Sequence, residues 1–168
     1  PLLPDNCMHF TRSIDEQHLQ LILSSPKMER MVKYNEKECF FIEVPKTLMK
    51  IELQVTNKGY KILNTFLYAV HTNEPISKQM KLYHYPFPNV NKGNGQICWG
   101  SNVLKEITCL TQLNQITEAF YAAPSGEDYG MRLLSGYSSF KQYLIQQEEQ
   151  PLNEDDLYPA NRVLGQIM

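Results

Sequence analysis

The chain has 168 residues, 42% of them hydrophobic and 20% charged, with a formal net charge of −2. That balance fits an ordinary globular chain able to bury one core, and it excludes a disordered or fibrous protein. The near-neutral charge argues against a broad nucleic-acid or anionic-membrane surface, and no apolar run approaches the roughly 18 to 20 residues that span a bilayer.

The first residues, PLLPDNCMHF, lack the charged and apolar regions of a signal peptide, and the missing initiator Met reads as a trimmed chain or a fragment. Residues 1–24 admit two readings. Ser13-Ile14-Asp15-Glu16 fits a capping box that opens a helix, whereas Leu19, Leu21 and Leu23 alternate as a strand does. Met28–Tyr34 and Cys39–Val44 read as strands joined by the turn Asn35-Glu36-Lys37, and Pro45 ends the second. In the next strand Met49, Ile51, Leu53 and Val55 share one face, while Lys50, Glu52 and Gln54 share the other. Asn57-Lys58-Gly59 is a turn signal. Ile62–Val70 is nearly continuous apolar sequence, preferred as a central strand over a helix because of the turn at Asn73-Glu74-Pro75.

Pro86, Pro88, Gly93, Gly95 and Gly100 exclude regular helix over residues 80–100. Leu110, Leu113, Ile116 and Phe120 then fall at helical spacing, with Thr108 or Thr111 as cap, before Pro124 and Gly126 end the helix. A second helix is expected at about 138–149, capped by Ser138. Beyond it Glu148, Glu149, Glu154, Asp155 and Asp156 make residues 146–168 read as an acidic, solvated tail after one domain over 1–145. The expected class is α+β: an antiparallel meander of about four strands, a cysteine-bearing loop, and helices.

The four cysteines, Cys7, Cys39, Cys98 and Cys109, show no zinc-ligand spacing and are too sparse for a disulfide scaffold, so free thiols in a reducing cytoplasm are expected. Cys39 and Cys109 sit in apolar periodic runs and read as core; Cys7 reads as a terminal thiol. Cys98 differs. It lies between Gly95 and Gly100 in a stretch that cannot be regular, so it is the thiol expected to be exposed and most reactive.

The residues around it carry a resemblance. Tyr85-Pro86-Phe87-Pro88-Asn89-Val90-Asn91, then Gly93 and Gly95, then Gln96-Ile97-Cys98, is similar to the active-site signature of ubiquitin-conjugating enzymes. Asn89-Val90, Gly95, Ile97-Cys98 and Gly100-Ser101 resemble more closely a prokaryotic branch of that family, the PRTRC system protein B type. The resemblance covers about residues 47–125. Phe87 stands where a His commonly precedes Pro-Asn, Trp99 where Leu is common, and the Asn89–Cys98 turn is one residue longer than usual. No His follows the downstream segment ending at Ser125.

The resemblance implies a ubiquitin-conjugating-like fold and a thioester carrier. Cys98 would hold a ubiquitin-like protein and Asn89 would stabilise the oxyanion formed when an amine attacks. Asn91 and Asn94 are alternatives for that amide, and Asn89 could instead simply shape the turn, as asparagine does through its own backbone. Trp99 and Phe87 are the implied binding residues. Glu127 or Asp128 would orient the acceptor amine; His84 carries no assigned role. The implied partners are a ThiF-type activating enzyme that uses ATP, the ubiquitin-like protein and a protein acceptor; the chain itself would need no cofactor, nucleic acid or membrane. Two other readings stand beside this one: an inactive conjugating-like scaffold, and an unrelated α+β structural protein.

Overall fold

The computed structural model describes residues 1–101 and 106–168. It is a strand-rich α+β structure with few and short helices, built on an antiparallel sheet. The chain supplies β1 (Cys7–Arg12), β2 (His18–Ser25), β3 (Met28–Tyr34), β4 (Glu38–Val44), β5 (Lys46–Thr56), β6 (Gly59–Val70), β7 (Lys81–His84), β8 (Glu106–Ile107) and β9 (Pro159–Val163). Two α-helices, α1 (Ile116–Ala122) and α2 (Phe140–Gln147), lie among shorter 3₁₀ turns. The main sheet runs β1-β2-β5-β6-β7-β9, with β8 paired to the far end of β6.

Residues 18–25 resolve as strand β2, and Ser13 and Asp15 serve the β1–β2 turn rather than a helix: Ser13 Oγ accepts from His18 N and Asp15 Oδ1 from Gln17 N. The expected four-strand meander is corrected. β3 and β4 pair only with each other, as a separate two-stranded ribbon. A single residue, Pro45, joins β4 to β5, and proline has no N–H to continue a ladder, so the chain turns a corner there. β2 takes the place beside β5, in unbroken register from His18↔Gln54 to Ser25↔Thr47. Its sequence suits a central strand, because Leu19, Leu21 and Leu23 are buried on one face and Ile22 on the other.

Both sheet faces are covered. Met49, Ile51, Leu53, Leu67 and Ala69 join the larger core, together with Val32, Phe40 and Ile42 of the ribbon and Phe120, Phe140 and Tyr143 of the helices. Leu48, Tyr68 and Val70 point the other way, onto Leu82, Leu164 and Ile167. This corrects the reading of 146–168 as a solvated tail. β9 pairs with β7, and Leu157, Leu164 and Ile167 are buried. The acidic residues sit at the turns before it, where Glu154 Oε1 accepts from Thr72 N and both Asp156 oxygens accept from Ser135. Charge at this end therefore caps loops, while Leu157 joins the larger core and Leu164 and Ile167 seal the second sheet face.

The helix expected from Leu110 begins as a 3₁₀ turn, Leu110–Gln115, and becomes α1. Its start is capped not by a threonine but by Gln112, whose Oε1 accepts from Thr108 N and Cys109 N. α2 begins two residues later than expected. Its cap is Ser139, not Ser138, with Ser139 Oγ accepting from Gln142 N at 3.1 Å.

Candidate functional site

The cysteine loop is docked on the edge of β6 between β7 and β8. Leu67 N donates to Gly95 O at 2.8 Å, and Ile97 N donates to Thr65 O at 2.9 Å. The Trp99 indole N–H donates to Thr65 Oγ1 at 2.8 Å, and Gln96 Nε2 to Asn64 Oδ1 at 3.0 Å. Gly95 has φ +78°, and a Cβ there would lie 2.8 Å from the Tyr68 ring, so the docking needs glycine. Cys98 is thus held from both sides in sequence, by buried Ile97 and by Trp99, while the thiol itself is exposed.

Asn89 faces Cys98 across a short antiparallel rung. Cys98 N donates to Asn89 O at 2.8 Å, and Val90 bridges Ile97. The Asn89 side chain is only 7% exposed, and its Oδ1 has no hydrogen-bond partner among the described residues. The alternatives are committed elsewhere. Asn91 Oδ1 accepts from Gly93 N at 2.7 Å, and Asn94 Oδ1 from Gln96 N at 2.9 Å, so both close the turn.

Three distant segments meet at a cavity of about 440 Å³. Asn89, Cys98 and Trp99 form one wall, the ribbon tip at Asn35–Lys37 a second, and Pro124–Gly126 with Asp128 a third. The last two are stitched together: Asn35 N donates to Ser125 O at 2.8 Å and Ser125 N to Lys33 O at 3.0 Å. Asn35 takes φ 51°, and a Cβ on Gly126 would come within 2.8 Å of its Oδ1, so Asn-Gly chemistry permits the close approach. Ser125 is a site residue that the sequence did not single out. Its Oγ is buried and unpartnered among the described residues, like the Asn89 amide oxygen in the same cavity. A thiol, an amide and a hydroxyl therefore line one space. No local signal marks Ser125, because the cavity exists only once β3, the cysteine loop and the segment after α1 come together.

The other expected residues separate. Phe87 is 2% exposed and packs among Tyr85, Phe120, Tyr121 and Phe140, so its expected binding role is corrected to core. Trp99 is half-buried, edge-on to Phe120 at 6.1 Å, and lines the cavity. Of the two acids, Asp128 lines the cavity, whereas Glu127 caps α2 by accepting from Phe140 N at 2.6 Å. His84 lies away from the thiol, near Tyr158 at 5.8 Å; burial first, then Arg132, Lys92 and Arg162, draw it down to about 4. Cys39 and Cys109, expected in the core, are exposed, and Cys7 lies in β1 with its thiol pushed up by burial. Among the described residues no group of His, Cys, Asp and Glu could hold a metal ion.

The prokaryotic E2 family D model matches residues 9–160. The chain belongs to that family. E2 denotes the ubiquitin-conjugating enzymes, so membership in prokaryotic E2 family D ties the chain to ubiquitin-like conjugation. The match ends at the start of β9, two residues into that strand. No curated protein and no solved structure matches the chain. No described helix is long and apolar enough to cross a membrane.

Proposed function

We propose that this E2 family D chain carries a ubiquitin-like protein as a thioester on Cys98. The supporting observation is that the exposed Cys98 thiol and the largely buried Asn89 side chain line one cavity. The Cys98 thiolate attacks the thioester that joins the tag to a ThiF-type activating enzyme, and the enzyme's thiolate leaves. An acceptor amine then attacks the Cys98 thioester. The carbonyl oxygen becomes an oxyanion, which the Asn89 amide N–H stabilises. The C–S bond breaks, the Cys98 thiolate leaves, and the amine loses its proton as the amide forms. ATP is consumed by the activating enzyme, so this chain requires no cofactor of its own. Trp99 and Asp128, which line the cavity, would contact the tag's tail and the incoming amine. The Asn-Val to Ile-Cys order supports assignment to the PRTRC system protein B branch, and the chemistry suits the cytoplasm, where thiols stay reduced.

A second reading, a scaffold that binds the tag without carrying it, is favoured by the absence of any histidine among the described cavity residues. Mixing the protein with a ThiF-type activating enzyme, its ubiquitin-like substrate and ATP separates the two. The carrier gains one tag in a bond that thiols cleave; Cys98→Ser gives a thiol-resistant ester and Cys98→Ala gives nothing. Asn89→Ala charges normally but discharges to free lysine about a hundredfold more slowly, the usual scale for loss of one oxyanion donor. Binding of the tag with no charging by the wild type would establish the scaffold instead.

A further inference from the structure

The segment before Asn89 poses a problem of backbone satisfaction. Tyr85 through Val90 are all buried, yet they form neither helix nor strand ladder. Pro86 and Pro88 supply no N–H, so the segment cannot be held as a regular strand. Buried carbonyls nevertheless need partners. Phe87 O accepts from Val90 N at 3.2 Å, Pro88 O from Tyr129 N at 3.0 Å, and Asn89 O from Cys98 N at 2.8 Å. Tyr85 O is served by a side chain: Lys92 Nζ donates to it at 2.9 Å, and the same nitrogen donates to Phe87 O.

Lys92 is half-buried and its amine is spent on the backbone rather than on a carboxylate: among the described ion pairs it appears in none. Lys92 lies in the turn between Asn89 and Cys98. Asn91 N donates to Gln96 O and Gly95 N to Asn91 O, both at 2.8 Å, which closes the loop. From that turn the Lys92 side chain reaches back to the Tyr85–Phe87 segment as a strut.

We propose that Lys92 is a positioning residue, whose amino group holds the Tyr85–Pro88 segment so that Asn89 stays against Cys98. Burial, then Arg132, draws this amine down to about 7. An amine keeps at least two N–H groups whether or not it is protonated, which matches its two carbonyl acceptors. Methionine at this position would keep the apolar stem and lose both donors.

The test reads amide exchange and tag transfer together; only the second rests on the thioester proposal. In Lys92→Met, exchange at the Cys98 and Tyr129 amides rises about tenfold or more, as expected when a buried hydrogen-bonded strut is lost, while β2 and β5 amides keep wild-type protection. Lys92→Arg, which retains donors, recovers part of that protection. Charging of Lys92→Met is unchanged, discharge to free lysine slows about tenfold, and adding Asn89→Ala slows it no further than Asn89→Ala alone, because the strut acts through that amide. Unchanged exchange at Cys98 and Tyr129, or a rise shared equally with β2 and β5, overturns the proposal. So does a double variant whose discharge defect is the product of the two single defects. If the wild type takes up no tag, the thioester reading fails, and the exchange measurement alone still decides whether Lys92 holds the segment.

Discussion

Cys98 and Cys109 are both exposed thiols in irregular backbone, but their surroundings differ. Cys109 opens the 3₁₀ turn before α1, and its thiol is drawn below the ordinary range, first by the Thr111 hydroxyl at 3.2 Å and then by the Gln112 backbone. It lines none of the cavity described above. Cys98 follows two backbone rungs to β6, precedes the Trp99 indole bond to Thr65, faces Asn89, and opens into a space lined by three segments. Acidity makes a thiol reactive toward any small electrophile. Carrying a protein tag also requires room for an extended tail and a donor placed where the oxyanion forms. Among the described residues Cys98 alone of the cysteines lines this cavity beside an asparagine side chain, and on the proposed reading those two features would serve the tail and the oxyanion.

The largest expected effect lies in the aromatic core. Phe87→Ala removes a buried ring packed among Tyr85, Phe120, Tyr121 and Phe140 and costs about 3–5 kcal/mol, whereas Cys98→Ala and Cys109→Ala each stay within about 0.5 kcal/mol because both thiols are exposed. Chemical denaturation of the three variants checks this; equal losses would mean that Cys98 is itself a packing residue.

A smaller effect comes from the basic side of the loop. The His84 ring titrates near 4 in the fold against about 6.5 when unfolded. Below both values the unfolded state binds the proton more readily, so the cost is fully present there; stability is intact above about 6.5 and lost as the pH falls towards 4. The loss should be on the order of 2 kcal/mol after allowance for partial exposure. Melting temperature against pH measures it, and His84→Gln should flatten the slope over that interval. A wild-type slope unchanged by the substitution would show that His84 is not the group responsible.

The smallest effect concerns Cys109. Its alkylation by iodoacetamide should persist to lower pH than for an ordinary thiol, and Thr111→Val should move the profile upward by a fraction of a pH unit. Peptide mass spectrometry reads both, and a profile insensitive to Thr111 would remove the hydroxyl as the cause.

The comparison also marks how far the sequence reaches. The alternation over Met49–Val55 identified β5 because period two is a local property, and the Asn89 to Cys98 motif marked the two residues that the fold places on one rung. The run around Cys39 is apolar overall, which points to the core. Within β4, however, Cys39 and Phe41 share the outward face and Phe40 and Ile42 the inward one, so the alternation held the answer. The corner at Pro45, the insertion of β2 beside β5, and the return of β9 to the sheet depend on pairing between distant segments. Ser125 and the ribbon tip belong to the site for the same reason: nothing near them in sequence foretells that Asn35 and Ser125 will bond.

The central claim is that the cavity, rather than exposure or acidity, selects the carrier thiol. Its most direct test is to charge the wild-type protein with a ThiF-type activating enzyme, its ubiquitin-like substrate and ATP, and then to map the thiol-labile adduct by peptide mass spectrometry under non-reducing conditions. The account predicts the adduct on Cys98 alone, with Cys7, Cys39 and Cys109 free. An adduct on Cys109 or Cys39, or one spread over several thiols, would contradict it.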